Sequence, residues 1–327
     1  MNRRWKKAIK SLAGCLLMCC MIFVNPVIAA DLSPGRTTIL VGFAPGGIND
    51  IVSRLFADGL TTRLGQPVIV ENKPGANGEL ALIETARAQP DGHTLMSTTS
   101  ASAAAPLLST SFKYDVVDGY THLGIIAQTP FLLAASGAMP FNDMAGLIAY
   151  GKANPGKLNF ASSADSVNLD FALLWQRAGI TVTAIPYKGT APVTAALLAN
   201  EVQLGGVSHR AVSSYIEAGK VKAIGFASDR RFTLVPQIPA LSESVPGYSA
   251  TTIWIGFSGP KGMPRDVVTR LNKEINGILS QLSIRSQIVD KFSFEIVGST
   301  PEQMTAELRS SRDRYIEAIK LTGFKPQ

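Results

Sequence analysis

The residues best suited to chemistry in this chain lie in one run, Gly42-Phe43-Ala44-Pro45-Gly46-Gly47-Ile48-Asn49-Asp50. The chemistry they suit is anion binding without a catalytic group. Thr38-Ile39-Leu40-Val41 before the run is apolar and rich in β-branching, as in a strand covered on both faces. Pro45-Gly46-Gly47 cannot continue a strand. Ile51, Val52, Leu55 and Phe56 then recur at helical spacing. A helix that starts at such a turn directs free N–H groups and a positive dipole end at one spot, which suits a carboxylate or a phosphate. Phe43 would form a wall of that site. Asp50 reads equally well as a helix-start carboxylate stabilised by the dipole or as a ligand contact.

Two further segments repeat the same order of strand, small-residue turn and helix start. They are Ala161–Asn168, with Ser162, Ser163 and Asp165, and Tyr187–Val193, with Tyr187, Gly189 and Thr190. In α/β sheets, ligands sit at the carboxyl ends of strands beside helix N-termini. Each charge-assisted hydrogen bond to a carboxylate contributes on the order of 1.5–3 kcal/mol. Two or three such bonds, with burial of the ligand's apolar part, would give a Kd of about micromolar. Ser100, in the small-residue loop Thr98–Ser102, joins the candidate set. Lys188 reads as a solvated charge.

The elements that must hold these turns alternate along the chain. Strands are expected at Pro67–Glu71, Leu95–Ser97, Leu158–Ala161, Ile185–Tyr187, Lys222–Ala227 and Ile253–Ser258, and a buried strand pair within Gly124–Ala134. Helices are expected at Glu79–Ala88, Asp143–Lys152, Asn168–Ala178 and Val193–Ala199, and over most of Pro264–Leu282 and Pro301–Leu321. The alternation predicts an α/β protein with parallel sheets.

The N-terminus reads as a secretory signal. Arg3, Arg4, Lys6, Lys7 and Lys10 precede an apolar run from Leu12 to Val24, and Ala29-Ala30 offers a cleavage site. The run is shorter than the roughly 20 residues a membrane span needs. Leu12-Ala13-Gly14-Cys15 resembles a lipoprotein cleavage box, but almost no apolar segment precedes it. Cleavage after residue 30 would remove all three cysteines, Cys15, Cys19 and Cys20, leaving no disulfide and no thiol metal site. It would also remove five basic residues and no acidic ones, so the formal charge of +7 would fall to +2. That balance gives no reason to expect nucleic acid or a membrane surface as a partner.

Enzyme readings fail at the residue level. Gly42 and Gly47 have the spacing of the end glycines of a phosphate loop, but Ile48-Asn49 stand where such a loop has its Lys-Ser/Thr pair. The glycines do not follow dinucleotide spacing. Ser208 lies in Gly206-Val207-Ser208-His209-Arg210, which lacks the second glycine of a nucleophile elbow. His93, His122 and His209 show no metal-ligand spacing. Catalytic residues, a metal and a cofactor are therefore not expected.

The run Phe43–Asp50 resembles the first ligand loop of the Bug receptors, the extracytoplasmic solute-binding proteins of tripartite tricarboxylate transporters, of which TctC is another representative. The resemblance continues in order through Leu64–Ala76, Pro90–Leu95, Pro155–Ser162, Pro186–Pro192, Ala218–Ala223 and Trp254–Pro260, and covers essentially the whole chain after the signal. It implies a type II periplasmic-binding-protein fold, with two α/β domains joined by two crossing strands that close over a ligand. Domain 1 would comprise residues 31–131 and 253–327, and domain 2 residues 132–252, after a signal peptide of residues 1–30. The crossings would fall near Phe131–Ala135 and Trp254–Ser258.

The implied function is capture of a small organic mono- or dicarboxylate by a periplasmic monomer that delivers it to membrane permease subunits. Two alternatives stay open: a ligand sensor for a membrane signalling partner and, from a different class, a secreted hydrolase. The chain departs from the family pattern in two places. Ser162–Asn168 is short and poor in glycine, with Asn168 where a histidine is often found. Asp165 would either repel a carboxylate or select a ligand that also carries an amino or hydroxyl group. Gly205–Arg210 replaces a more acidic segment. There Ser208 joins the candidates, and Arg210 could clamp a second carboxylate bidentately.

Overall fold

A computed structural model of the chain describes residues 32–75, 78–163, 165–250 and 252–323. The segment read as a signal, with Cys15 and the expected cleavage site, lies outside the described residues, as do Ala76, Asn77 and Ala164.

Two sheets organise residues 32–323. The first has six strands: β1 (Thr37–Val41), β2 (Val68–Asn72), β3 (Thr94–Thr99), β4 (Tyr120–Thr129), β10 (Ile253–Pro260) and β11 (Glu295–Ile296), in the order β11-β4-β10-β3-β1-β2. The second has five: β5 (Phe131–Ser136), β6 (Leu158–Ser162), β7 (Val182–Pro186), β8 (Leu204–Val207) and β9 (Val221–Ala227), in the order β7-β6-β8-β5-β9. The chain leaves the first sheet after Thr129 and enters the second at Phe131, with Pro130 between them. It returns through residues 228–252 into β10.

Both sheets are mixed rather than parallel. β1 pairs in parallel with β2 and β3, and β6 with β7 and β8. β10 runs antiparallel to β3 and β4, and β5 antiparallel to β8 and β9. The reason lies in the crossings. β5 follows β4 without a crossover helix, and β10 comes back from the other sheet, so each enters against the prevailing direction.

Helix α1 (Ile48–Leu64) buries Val52, Phe56 and Leu60, spaced four apart, against the first sheet and ends at Gly65, where φ is 69°. Phe56 meets Phe257 of β10 edge-on at 5.5 Å. Helix α8 (Arg265–Leu279) packs beside α1. There Glu274, 5% exposed, pairs with Arg63 at 2.5 Å and Arg270 at 3.0 Å. Helix α10 (Pro301–Thr322) opens with a capping box. The Gln303 N–H donates to Thr300 Oγ1 at 3.2 Å, and the Thr300 N–H to Gln303 Oε1 at 2.8 Å. It buries Met304, Leu308, Ser311, Tyr315 and Ala318, and packs on β4 and on α5 (Asp165–Ala178). One hydrophobic core therefore runs from the first sheet through α10 and α5 into the second, from Leu40 and Met96 to Phe160, Phe171 and Trp175.

Strand β8 holds Gly205-Gly206, the start of the segment that departs from the family pattern. These glycines sit in the middle of the second sheet because neighbouring side chains fill their Cβ space. A Cβ on Gly206 would lie 2.9 Å from Phe160 Cζ and Val167 Cγ1, and one on Gly205 would lie 2.8 Å from Leu197 Cδ1.

A buried polar relay crosses the first sheet. Thr98 Oγ1 donates to Ser258 Oγ at 2.8 Å, and Ser258 Oγ lies 2.9 Å from His122 Nδ1. His122 Nε2 lies 2.9 Å from the Val117 carbonyl, which can only accept. Nε2 therefore carries a proton, and with the Ser258 hydroxyl donating to Nδ1 the ring is neutral. Burial pushes the His122 pKa down, against the opposing pull of the Val117 carbonyl, Asp118 and Asp115. With a lowered folded pKa, the unfolded chain takes up the proton first, so stability should fall as pH drops below about 6.5. His209, half-buried, is shifted the same way by burial. Denaturant midpoints measured from pH 7.5 to 5 should decline, and His122→Gln should flatten that slope.

Candidate functional site

The carboxyl ends of β1, β3, β6 and β7 converge on a cavity of about 270 Å³. From the first sheet come Phe43, after β1, and Ala101, Ala105, Leu108 and Ser109, after β3. Ser100–Ala104 form a 3-10 turn, overlapping the small-residue loop expected at Thr98–Ser102, and Ala105–Leu108 form the short helix α3. Glu79 joins this wall as the first residue of helix α2 (Glu79–Arg87). From the second sheet come Ser162, Ser163, Asp165, Ser166 and Asn168, at the junction of β6 and α5, and Pro186 and Tyr187, at the end of β7. The Tyr187 N–H donates to the Ser162 carbonyl at 2.9 Å, holding the two second-sheet turns together. Ser162 Oγ donates to Asn168 Oδ1 at 2.6 Å, tying the serine turn to the first turn of α5.

Phe43, Ser162, Ser163, Asp165 and Tyr187 are thus brought together. Ala44, Gly46, Gly47, Asn49 and Asp50 are not in the cavity wall, although their loop adjoins it through Phe43. The loop spends its polar groups on itself. Asp50, 3% exposed, accepts from the Gly46 N–H at 2.9 Å, from Arg54 Nε at 3.1 Å and from Asn72 Nδ2 at 2.9 Å. Arg54 Nη2 closes the ion pair at 2.9 Å, and Asn72 Nδ2 also donates to the Phe43 carbonyl at 3.1 Å. Of the two roles the sequence left open for Asp50, its contacts are those of a helix-start carboxylate that fixes the loop carrying Phe43. The Gly46 N–H is engaged by that carboxylate, and the Gly47 N–H reaches the Ala44 carbonyl at 3.4 Å.

The remaining candidates also lie off the cavity wall. Ser100 is buried beside Ala101. Gly189 (φ 103°) and Thr190, both exposed, start helix α6 (Thr190–Leu198). β8 runs parallel to β6, so Ser208 emerges on the same sheet edge, immediately before helix α7 (His209–Glu217) and without a side-chain capping bond to it. Arg210 is exposed on that helix.

Sequence reasoning did not single out Glu79 or Ser109. Ser109 Oγ lies 3.2 Å from Glu79 Oε2 and donates to it, and Glu79 is 7% exposed. The signal was present, because Glu79 opens a helix directly after the glycine-rich segment Gly75–Gly78, the pattern used for the other turns. Gly78 is held against Gly42: a Cβ on Gly42 would lie 2.7 Å from Gly78 Cα. This close approach brings the α2 start to the end of β1. The wall as a whole mixes apolar faces (Phe43, Leu108, Pro186) with serine hydroxyls, a tyrosine and two carboxylates, and among the described residues no lysine, arginine or histidine lines it. Such a surface binds and orients a small molecule; among the described residues no cluster is placed to hold a metal ion.

The family model of the tripartite tricarboxylate transporter family receptor (TctC) matches residues 52–322. The chain belongs to this receptor family. As a TctC-family receptor it is a binding protein and not an enzyme. It is 31% identical to the periplasmic binding protein BugD, over 90% of this chain and 100% of that one, with a TM-score of 0.71. A Rhodopseudomonas palustris protein solved with adipate is 29% identical, over 90% of this chain and 99% of that one, with a TM-score of 0.75. MatC from the same organism, solved with bound malate, is 29% identical over 88% of this chain and 100% of that one, with a TM-score of 0.71. The two-sheet α/β architecture of the TctC-family receptor is that of these periplasmic binding proteins.

Proposed function

We propose that this TctC-family receptor works in the periplasm, captures a small organic carboxylate in the cavity between the two sheets and delivers it to the permease subunits of a tripartite tricarboxylate-type transporter. The observation that carries this reading is the convergence of four strand ends from two sheets on one cavity with serine hydroxyls and a tyrosine in its wall. The adipate and malate held by two relatives support the ligand class. The basic, apolar and small-residue order of residues 1–30 supports export. Residues 31–131 with 253–327 would act as one domain of a monomer and residues 132–252 as the other. A ligand touching both would favour the closed arrangement by its differential contacts. Two ion pairs reach between elements of the two parts away from the cavity wall: Arg230–Glu295 at 2.8 Å and Arg177–Glu317 at 2.7 Å. They would stay intact while the cavity edge opens.

A thermal-shift screen against mono-, di- and tricarboxylates tests the reading, because a ligand that binds only the folded state raises the midpoint by mass action. At least one acid should raise it. Ser163→Trp, which fills the cavity from a half-buried turn position, should abolish that rise while leaving the unliganded midpoint near its wild-type value. A folded protein that responds to no acid would contradict the proposal.

A further inference from the structure

We infer that Glu295 is the pivot on which the two sheets turn: it fixes their relative position and so sets the receptor's affinity for its ligand without touching that ligand. The inference rests on the receptor reading above. It separates the two ion pairs named there, because only one of them is rooted in the cores of both sheets. Glu295 is held on the first sheet, in β11, opposite Gln128 of β4. Its neighbour Phe294 is buried in the core of that sheet with Ile126 and Phe257. The partners of its carboxylate come from the chain that leaves the second sheet. Thr233 donates to it twice, through its N–H at 2.7 Å and through its hydroxyl, and Arg230 Nη2 donates at 2.8 Å. Phe232, between those two residues, is buried in the core of the second sheet and meets Phe226 of β9 edge-on at 5.2 Å. One carboxylate therefore joins a residue rooted in the first core to a segment rooted in the second.

Both crossings pass this point. Pro130 of the first crossing, and Ser228 and Thr252 near the two ends of the second, line a cavity of about 220 Å³ together with Glu295. That space lets the crossing segments bend while the carboxylate holds. The approach to β11 is also unusual. A π turn over Gln287–Lys291 leads to Ser293, whose φ of 56° lies in the left-handed region that favours glycine. Such a conformation persists where the surrounding structure over-determines it, and the next two residues are Phe294 and Glu295. Burial alone would push the Glu295 carboxyl up; the Thr233 hydrogen bonds and Arg230 outweigh it and hold the carboxyl below its ordinary range. The Glu295 side chain is 10% exposed, whereas Arg177 and Glu317 are 33% and 47% exposed. A surface pair of that second kind contributes little. Loosening the pivot would spread the two sheets over more relative positions. Apparent affinity would then fall with the fraction still competent to bind.

The test compares Glu295→Gln, which keeps size and removes the charge, with Arg177→Gln, which breaks the other pair. Spin labels at Asp58→Cys on α1 and Ala195→Cys on α6, both exposed, report the spacing of the two sheets by pulsed electron resonance, with Cys15, Cys19 and Cys20 changed to alanine. Without ligand, Glu295→Gln should broaden the distance distribution, and Arg177→Gln should leave it unchanged. In calorimetric titrations with adipate and with malate, Glu295→Gln should bind about fivefold or more weakly than the parent protein, and Arg177→Gln as tightly. Should Glu295→Gln fold poorly, Arg230→Gln at its exposed position should move both readouts in the same direction. A Glu295→Gln protein with a lowered melting midpoint but unchanged distances and affinity would make Glu295 a stabilising residue only and overturn the inference. Equal broadening in Arg177→Gln would overturn it as well. If neither acid binds the parent protein, the distance distributions alone decide the inference, and the wider acid screen decides the receptor reading separately.

Discussion

Replacing Gly42 by alanine is expected to destabilise the protein by about 2–3 kcal/mol and to weaken ligand binding in the same variant. The added Cβ would lie 2.7 Å from Gly78 Cα and 3.0 Å from the Gly78 carbonyl oxygen. Both atoms are backbone, so no side-chain rotation relieves the contact. Gly78 itself holds φ 93° and caps α2, which leaves it little room to retreat. The residues that follow the two glycines are Phe43 and Glu79, which line one cavity. Separating Gly42 from Gly78 therefore moves two walls at once. Gly46→Ala provides the contrast. It has open space around its Cβ position but φ of 83°, so it should cost about 1–2 kcal/mol through backbone strain alone. Urea midpoints and one ligand titration separate the two. An unchanged midpoint in Gly42→Ala would show that the loop and α2 are not packed as described.

The second large effect is expected at Asp50. Asp50→Ala would remove the acceptor for Gly46, Arg54 and Asn72 and leave the Gly46 N–H without its side-chain partner. The cost should be on the order of 3 kcal/mol, because hydrogen bonds to a buried charge are worth more than neutral ones. The same contacts set a pH dependence. Burial alone would push the Asp50 carboxyl up; the hydrogen bonds from Arg54, Gly46 and Asn72 and the Arg54 charge outweigh it and hold the carboxyl below its ordinary range. Its folded pKa therefore lies below the unfolded value of about 3.9. The stability it contributes is fully present above that value and is lost as pH falls through the folded pKa. Asp50→Asn should lose stability at pH 7 and show a shallower acid limb below about pH 4. Equal acid limbs in the two proteins would contradict the account of the loop.

Much of this was legible in the chain because the signals were local. The β-branched run ending at Val41, the Pro45-Gly46-Gly47 turn and the four-residue spacing of Val52, Phe56 and Leu60 each report on their own neighbourhood. The role of Asp50 was not legible in the same way. Two of its partners, Gly46 and Arg54, are four residues away, but Asn72 lies 22 residues on, in β2, and only folding brings it to the carboxylate. The reason for Gly205-Gly206 was equally non-local: Phe160 of β6 and Val167 and Leu197 of the helices packed on the second sheet fill the space of their Cβ atoms. Ser208 and Arg210, read from that segment, consequently lie off the cavity wall. Glu79 was overlooked because its burial follows from the approach of Gly78 to Gly42, a contact 36 residues long in sequence that no periodicity reports.

The measurement that tests the central claim most directly is a crystal structure of the protein with the best acid from the screen. The account predicts ligand density in the cavity, in contact both with Phe43 or Glu79 beside the first sheet and with Ser162, Ser163 or Tyr187 beside the second. Density confined to residues of one sheet, or lying on the surface around Arg210, would contradict it.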